Sequence, residues 1–241
     1  MSTIKITELP ASCALTGTEV VPVVQNNVTV QATTQDIADL GGGIIAVGAG
    51  TGSTLRISNN NTASGNYSTV SGGKCSTASG IYSTVGGGGY NTSSGNHSTV
   101  GGGTSNTTSG YRSTVSGGYY NTASNRYSTI SGGTFNVASG CNSTVSGGGK
   151  QFLGNRAEGN YSTIGGGFGN RASGYLSAIL GGRSNTTNGC NRAMIVGSNI
   201  QADRECTTFV NNLSIKNIPT SDSGLPSGAV WNDGGTLKIV S

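Results

Sequence analysis

Charge is scarce in this chain, with only 9% of its 241 residues acidic or basic. It holds one histidine, His97, one tryptophan, Trp231, and four prolines, Pro10, Pro22, Pro219 and Pro226, none of them between residues 61 and 199. A single histidine excludes a multi-histidine metal centre within one chain. A histidine-based triad would need an acid near His97, and its repeat has none. Glycan hydrolysis ordinarily uses two carboxyl groups about 5–9.5 Å apart, and residues 61 to 199 offer only Glu158. Asp203 and Glu205, on one side of an expected strand, read as a solvated pair. The stretch Gly48 to Ser53 lacks the Gly-Lys-Ser/Thr ending of a phosphate loop and reads as a linker. No catalytic residue, cofactor site or metal site is therefore expected, and no enzymatic activity.

No apolar run is long enough to cross a membrane, and Met1 to Thr16 lacks the basic start and apolar stretch of a signal peptide. Membrane insertion and export are not expected, and the Asn-x-Ser/Thr sequons at Asn66, Asn91, Asn96, Asn106 and Asn142 read as by-products of the sequence pattern. The five cysteines, Cys13, Cys75, Cys141, Cys190 and Cys206, have no metal-ligand spacing. Cys141 and Cys190 share a column three turns apart, about 14 Å, beyond the roughly 7 Å reach of a disulfide. Free thiols are expected, with an intermolecular bond across a symmetry axis left open.

What the chain does have is a fifteen-residue unit, Asn-Thr-Ala-Ser-Gly-x-x-Ser-Thr-Val-Ser-Gly-Gly-x-x, recurring about nine times between Asn61 and Asn199. Its apolar column is Val70, Val85, Val100, Val115, Ile130, Val145, Ile164 and Ile179. A small-residue column runs from Ala63 to Thr187. One glycine column starts at Gly65 and is broken only by Asn125, which also tolerates positive φ; another runs from Gly73 to Gly182. Such regularity argues against disorder, despite 43 glycines. Between Val145 and Ile164 four extra residues, near Gly149, Lys150, Gln151 and Phe152, predict a loop at one corner. The ninth turn leaves two registers open, with either Met194 or Ile195 in the apolar column.

Fifteen residues are too few for a helical hairpin, and glycine opposes helix by about 1 kcal/mol each. Each unit therefore predicts one turn of a parallel β-coil, with Ser68 and Val70 facing in and Thr69 and Ser71 facing out. The absence of proline fits, since every turn must donate backbone N–H groups to a neighbour. Nine turns make a rod about 43 Å long. One Val or Ile and one Ala per turn is a thin core, which predicts association of copies, as a trimer, over a wide monomeric solenoid. The fold class expected is all-β: a parallel β-roll or β-solenoid of about nine turns with small flanking hairpin modules.

The repeat Gly-x-x-Ser-Thr-Val-Ser-Gly-Gly resembles the Gly-x-x-Ser-x-Ala-x-Gly repeats of trimeric autotransporter adhesin heads. That resemblance, over roughly Asn61 to Asn199, implies a left-handed parallel β-roll wound as a trimer, although the family unit is usually fourteen residues. The start, Ile4-Lys-Ile-Thr-Glu-Leu-Pro10 with Gly17 to Gln25, is similar to amino-terminal segments of bacteriophage tail-fibre and related virion proteins. Phe209 to Pro219 and Gly224 to Val240 are similar to segments that close such fibres. Read for themselves, Glu19 to Gln25 and Val28 to Thr33 predict a hairpin around Asn26-Asn27. Thr33 or Thr34 predicts a cap for a short helix through Asp36 to Leu40, and Asp233-Gly234-Gly235 predicts a second hairpin, read as a cap over the last turn. The organisation expected is a virion-docking module at 1–43, a linker at 44–60, the repeat domain at 61–200 and a β cap at 201–241.

Residues 61 to 199 hold eight basic side chains against Glu158 alone, a net +7, while 1–60 sum to −2 and 200–241 to −1. Rings interleave with these charges at the variable positions. Tyr67, Tyr82, His97, Arg112, Tyr119, Tyr120, Arg126 and Tyr127 are the candidate ligand-binding residues, suited to an anionic surface glycan through charge and stacking; the competing reading is solvated corners and subunit packing. Taken with the resemblances, the expected function is a non-enzymatic phage tail fibre or spike, a homotrimer docked to other virion proteins and contributing to host attachment. Nucleic acid is not an expected partner. Such a protein would assemble in the host cytoplasm and sit on the particle exterior. The alternatives are an architectural capsid-decoration or baseplate subunit with no host ligand and, further off, an ice-binding solenoid using the threonine file from Thr69 to Thr163.

Overall fold

The computed structural model describes residues 20–25, 28–33, 45–56, 60–214 and 218–240. The described residues are all-β and contain no helix. Each turn carries two strands of two residues, first seen as β5 (Thr62–Ala63) and β6 (Thr69–Val70), and the pattern repeats through β19 (Arg171–Ala172) and β20 (Ala178–Ile179). Strands of one kind stack in parallel, so Val70 pairs with Val85 and Ala63 with Ala78. Thr69 N–H donates to Ser83 O and Ser71 N–H to Val85 O, both at 2.9 Å. Every turn thus satisfies its neighbour's backbone, which proline would prevent.

Two sheets result. The twelve-stranded sheet carries the Val/Ile column and the eight-stranded sheet the small-residue column. Period-two geometry drives both inward: Val85, Val100, Ile130 and Ile164 are fully buried, as are Ala78, Ala123 and Ala157. Ser68 is buried and Ser71 exposed, as the alternation predicts. Val145 still pairs with Ile164 across the insertion. The extra residues close as a small loop, Leu153 N–H donating to Lys150 O at 2.7 Å. At the ninth turn Ile195, not Met194, takes the apolar column. It pairs with Ile179 and is fully buried, so a residue has been inserted before it.

Stacking runs past both ends of 61–200. β4 (Thr54–Arg56) lies parallel to β6 with Leu55 beside Val70, and β3 (Ile45–Val47) pairs antiparallel with β4. The stretch 48–53 read as a linker is therefore the corner of a first turn, with Ser53 buried. Beyond β21 (Met194–Val196), β22 (Thr208–Val210) adds a further rung, with Phe209 beside Ile195. Among the described residues the larger sheet has eleven parallel rungs, roughly 48 Å at the usual strand spacing.

Both expected hairpins form: β1 (Val20–Gln25) with β2 (Val28–Thr33), and β23 (Val230–Asp233) with β24 (Thr236–Ile239). In the second, Gly234 and Gly235 adopt φ of 59° and 101°, as a two-residue turn requires. The Asn26-Asn27 turn and the helix expected over Asp36 to Leu40 lie outside the described residues.

Both glycine columns stand where turns touch, and they differ in φ. Gly73, Gly88 and Gly103 adopt φ of 81–90°. From Gly65 to Gly174 the first column does not have positive φ, and neither does Asn125, contrary to the sequence expectation; Gly189, with φ of 79°, falls out of the column, and Cys190 meets Gly174 in its place. Glycine stands in that column because backbones touch: a Cβ on Gly65 would lie 2.1 Å from Gly80 O. Asn125 instead donates from Nδ2 to Ser139 O at 2.8 Å. The asparagine that opens every unit but the one starting at Ser76 builds a feature the sequence reading missed. Asn106 is fully buried; its Nδ2 donates to Gly102 O and Gly118 O, both at 2.9 Å, and its backbone N–H donates to Asn91 Oδ1, also 2.9 Å. The same pattern recurs at Asn121, Asn136, Asn155, Asn170 and Asn185.

Candidate functional site: the corners of the coil

Left-handed backbone carries the side chains that decorate the first corner, which joins the eight-stranded sheet to the larger one. Tyr67, Tyr82, His97, Arg112 and Tyr127 occupy one column with φ between 53° and 58°. For L-residues that conformation costs roughly 1–2 kcal/mol. A ladder bond offsets it: Tyr82 N–H donates to Asn66 O at 2.9 Å, and His97 N–H to Ile81 O at 2.8 Å. Tight turns leave the rings outside the coil, and Tyr67 and Tyr82 are about half exposed.

Strand spacing then stacks them. Tyr67 and Tyr82 lie nearly parallel with centroids 4.9 Å apart, and Tyr82 and His97 at 5.0 Å. His97 meets Tyr111 edge-on at 5.7 Å, and Tyr111 meets Tyr127 at 5.9 Å. Tyr111, one position before the left-handed column, is the hub. Both Arg112 and Arg126 lie over its ring, at 5.1 and 5.6 Å, and Arg126 also reaches Tyr127. Of the eight candidate residues the structure brings six together here: Tyr67, Tyr82, His97, Arg112, Arg126 and Tyr127.

Tyr119 and Tyr120 belong to the other corner, which returns the chain to the eight-stranded sheet. They meet edge-on at 4.5 Å, and Tyr120 stacks on Phe135 at 5.1 Å with planes 3° apart. Phe152, in the inserted loop, continues this file at 5.1 Å from Phe135. The candidate set is therefore two surfaces. The threonine file from Thr69 to Thr163 runs along the outer face of the larger sheet, and a second file, Thr62 to Thr122, runs along the other.

Glu158 is held by two guanidinium groups. Its Oε1 and Oε2 accept from Nε of Arg156 and Nε of Arg171, each at 2.7 Å. Burial alone raises the carboxyl, but the hydrogen bonds and charges of the two arginines outweigh it and hold Glu158 below its ordinary range. Asp203 and Glu205 sit in a bend rather than the expected strand and face separate partners, Arg204 and Asn191. Cys75, Cys141, Cys190 and Cys206 are free thiols. Among the described residues no three His, Cys, Asp or Glu side chains cluster as metal ligands would.

The class of protein so defined is an all-β parallel solenoid with ring-bearing and guanidinium-bearing corners. No protein-family model matches the chain, and no curated protein is similar to it.

Proposed function

We propose that this chain is a non-enzymatic structural protein of a phage particle, a tail fibre or spike that contributes to host attachment by contacting anionic surface glycan. The observation that carries the reading is the first corner, where exposed stacked rings alternate with guanidinium groups over Tyr111. Rings offer flat apolar area to sugar C–H faces, and arginine offers charge-assisted donors to acidic groups. A rod holds such contacts in a line at a fixed spacing, which suits a polymer. The coil's own core of one Val or Ile and one small residue per turn supports assembly as a homotrimer. The amino-terminal module would join the rod to other virion proteins.

Particles lacking the protein test the reading: altered morphology with reduced adsorption is expected, and unchanged morphology and adsorption removes it. Light scattering of the purified chain is expected to give three times the chain mass. A trimer silent on a glycan array at moderate salt favours the architectural alternative, a capsid-decoration or baseplate subunit.

A further inference from the structure

In an array whose rungs otherwise copy one another, several departures fall on neighbouring rungs and meet at one place. The outward column that reads Thr62, Thr77, Thr92, Thr107 and Thr122 continues as Val137, Arg156 and Arg171. Glu158 replaces the serine of its rung, and the four-residue insertion lies between Val145 and Ile164. Of these, Val137, Arg156 and Phe152 of the inserted loop line a cleft of about 320 Å³ at the second corner, together with Tyr120, Phe135 and Gly154, and Glu158 and Arg171 join it through Arg156.

Each departure has a physical role there. The inserted loop lifts Phe152 outward until it is 78% exposed, an unusual setting for a phenylalanine. Its ring stands 45° from that of Phe135, so the file of rings opens where the loop begins. Gly154 lies so close beneath that a Cβ would sit 1.7 Å from Phe135 O. Arg156, which also lines the cleft, is fixed through Nε by Glu158, so its Nη nitrogens are not spent on that pair. Because Glu158 also holds Arg171, the trio keeps a net positive charge.

We infer that this cleft is a dedicated subsite for a carboxylate-bearing pyranose, a uronic or sialic acid residue of a surface polysaccharide. The phenyl rings and Val137 contact the apolar ring face, and the Arg156 Nη groups pair with the carboxylate. Its volume is at the lower end for small-molecule sites, about 300–1,000 Å³, which suits a short saccharide rather than a folded partner. This deepens the glycan-attachment reading and rests on it, but names a different corner from the Tyr67 to Tyr127 surface.

Titration of the full chain by saturation-transfer NMR tests it, with trimers of galacturonate, guluronate and α-2,8-linked sialic acid, each also as its neutral methyl ester. At least one acidic trimer is expected to bind, its methyl ester about 10-fold more weakly. Arg156→Gln and Phe152→Ala are each expected to weaken it about 10-fold, while Leu237→Ala, an exposed position of the terminal hairpin, stays within about twofold. Equal binding of acid and ester overturns the inference, as does binding of none of the acids or indifference to Arg156→Gln. Loss in Tyr82→Ala with Arg156→Gln unaffected moves the saccharide to the first corner, overturning this subsite while leaving glycan attachment standing. Conversely, particles that adsorb normally without the protein remove the attachment reading and leave the titration as measured.

Discussion

Asn121 donates its backbone N–H to Oδ1 of Asn106 at 3.0 Å, one rung of a buried amide ladder that runs from Asn91 to Asn185. Its Nδ2 reaches Gly117 O at 3.0 Å and Gly133 O at 2.9 Å, and its own Oδ1 accepts from Asn136 N–H at 3.0 Å. The ladder ties the second corner to the strand that follows it. Asn121→Ala strands the Gly117 carbonyl and the Asn136 N–H, each orphan costing about 1–3 kcal/mol, and takes one of two donors from Gly133 O, which keeps the Tyr119 N–H at 3.0 Å. A loss of about 3 kcal/mol or more is expected in denaturant titration, and a loss below about 1 kcal/mol would show the ladder to be dispensable.

The serines that face inward beside the Val column behave unequally. Ser113 donates to Gly110 O at 2.9 Å, whereas the buried Ser83 hydroxyl has no partner among the described residues. Ala193 fills the same place naturally in its own rung. Ser83→Ala is therefore expected to be neutral or stabilising by up to about 1 kcal/mol, and Ser113→Ala to destabilise by about 1 kcal/mol. Thermal melts of the pair read the contrast, and equal effects would contradict it.

Glycines at two positions of one turn predict opposite outcomes. A Cβ on Gly110 would meet Asn125 O at 1.9 Å, while a Cβ on Gly117 would meet nothing within 4 Å, and neither residue has positive φ. Gly110→Ala forces adjacent turns apart, with an expected cost of about 1–3 kcal/mol. Gly117→Ala should be neutral or stabilising by about 0.4–1 kcal/mol, through the unfolded chain. Circular-dichroism melts of the two variants check both signs.

The coil itself was legible because the Val/Ile and Ala columns repeat at fifteen, and period-two alternation then fixes which side chains face in. The reason for the Gly65 column was not legible. Close approach and positive φ both select glycine; a Cβ would meet the next turn in both columns, 2.1 Å from Gly80 O at Gly65 and 1.9 Å from Gly88 O at Gly73, and only φ separates them. Nor was the left-handed backbone of Tyr67 and Tyr82, because a ring at that position reads as surface decoration until the ladder bond beneath it is seen. The asparagine ladder left a plain signal, Asn91, Asn106, Asn121 and Asn136 in one column, which fitted a turn residue as well as a buried one. The cleft was half legible: the insertion was evident, but its meeting with Val137 and Arg156 depends on which corner it leaves.

Glu158 makes a modest pH-dependent contribution. Its folded-state carboxyl is held below the ordinary value, so its stabilisation is present above the unfolded carboxyl's range and lost as pH falls through the lower folded value. Arg156 and Arg171 are more than half exposed, so salt screens the pair. Glu158→Gln should therefore lower the melting midpoint slightly at pH 7 in low salt and leave it unchanged at acid pH. The difference should shrink at 1 M salt, where the Debye length is about 3 Å. A Gln variant equally affected at all pH values would assign the effect to packing.

Tyr82 separates backbone strain from surface chemistry. Its φ of 56° favours glycine, so Tyr82→Gly relieves strain that Tyr82→Ala retains, while both remove the stack between Tyr67 and His97. The glycine variant is expected to be more stable than the alanine variant by about 1 kcal/mol, the reverse of the order within an ordinary strand. Binding through the first corner should fall equally in both, because neither supplies a ring. Calorimetric melts measure the first quantity and a glycan titration the second. Were alanine the more stable of the two, the left-handed corner would not be the source of strain.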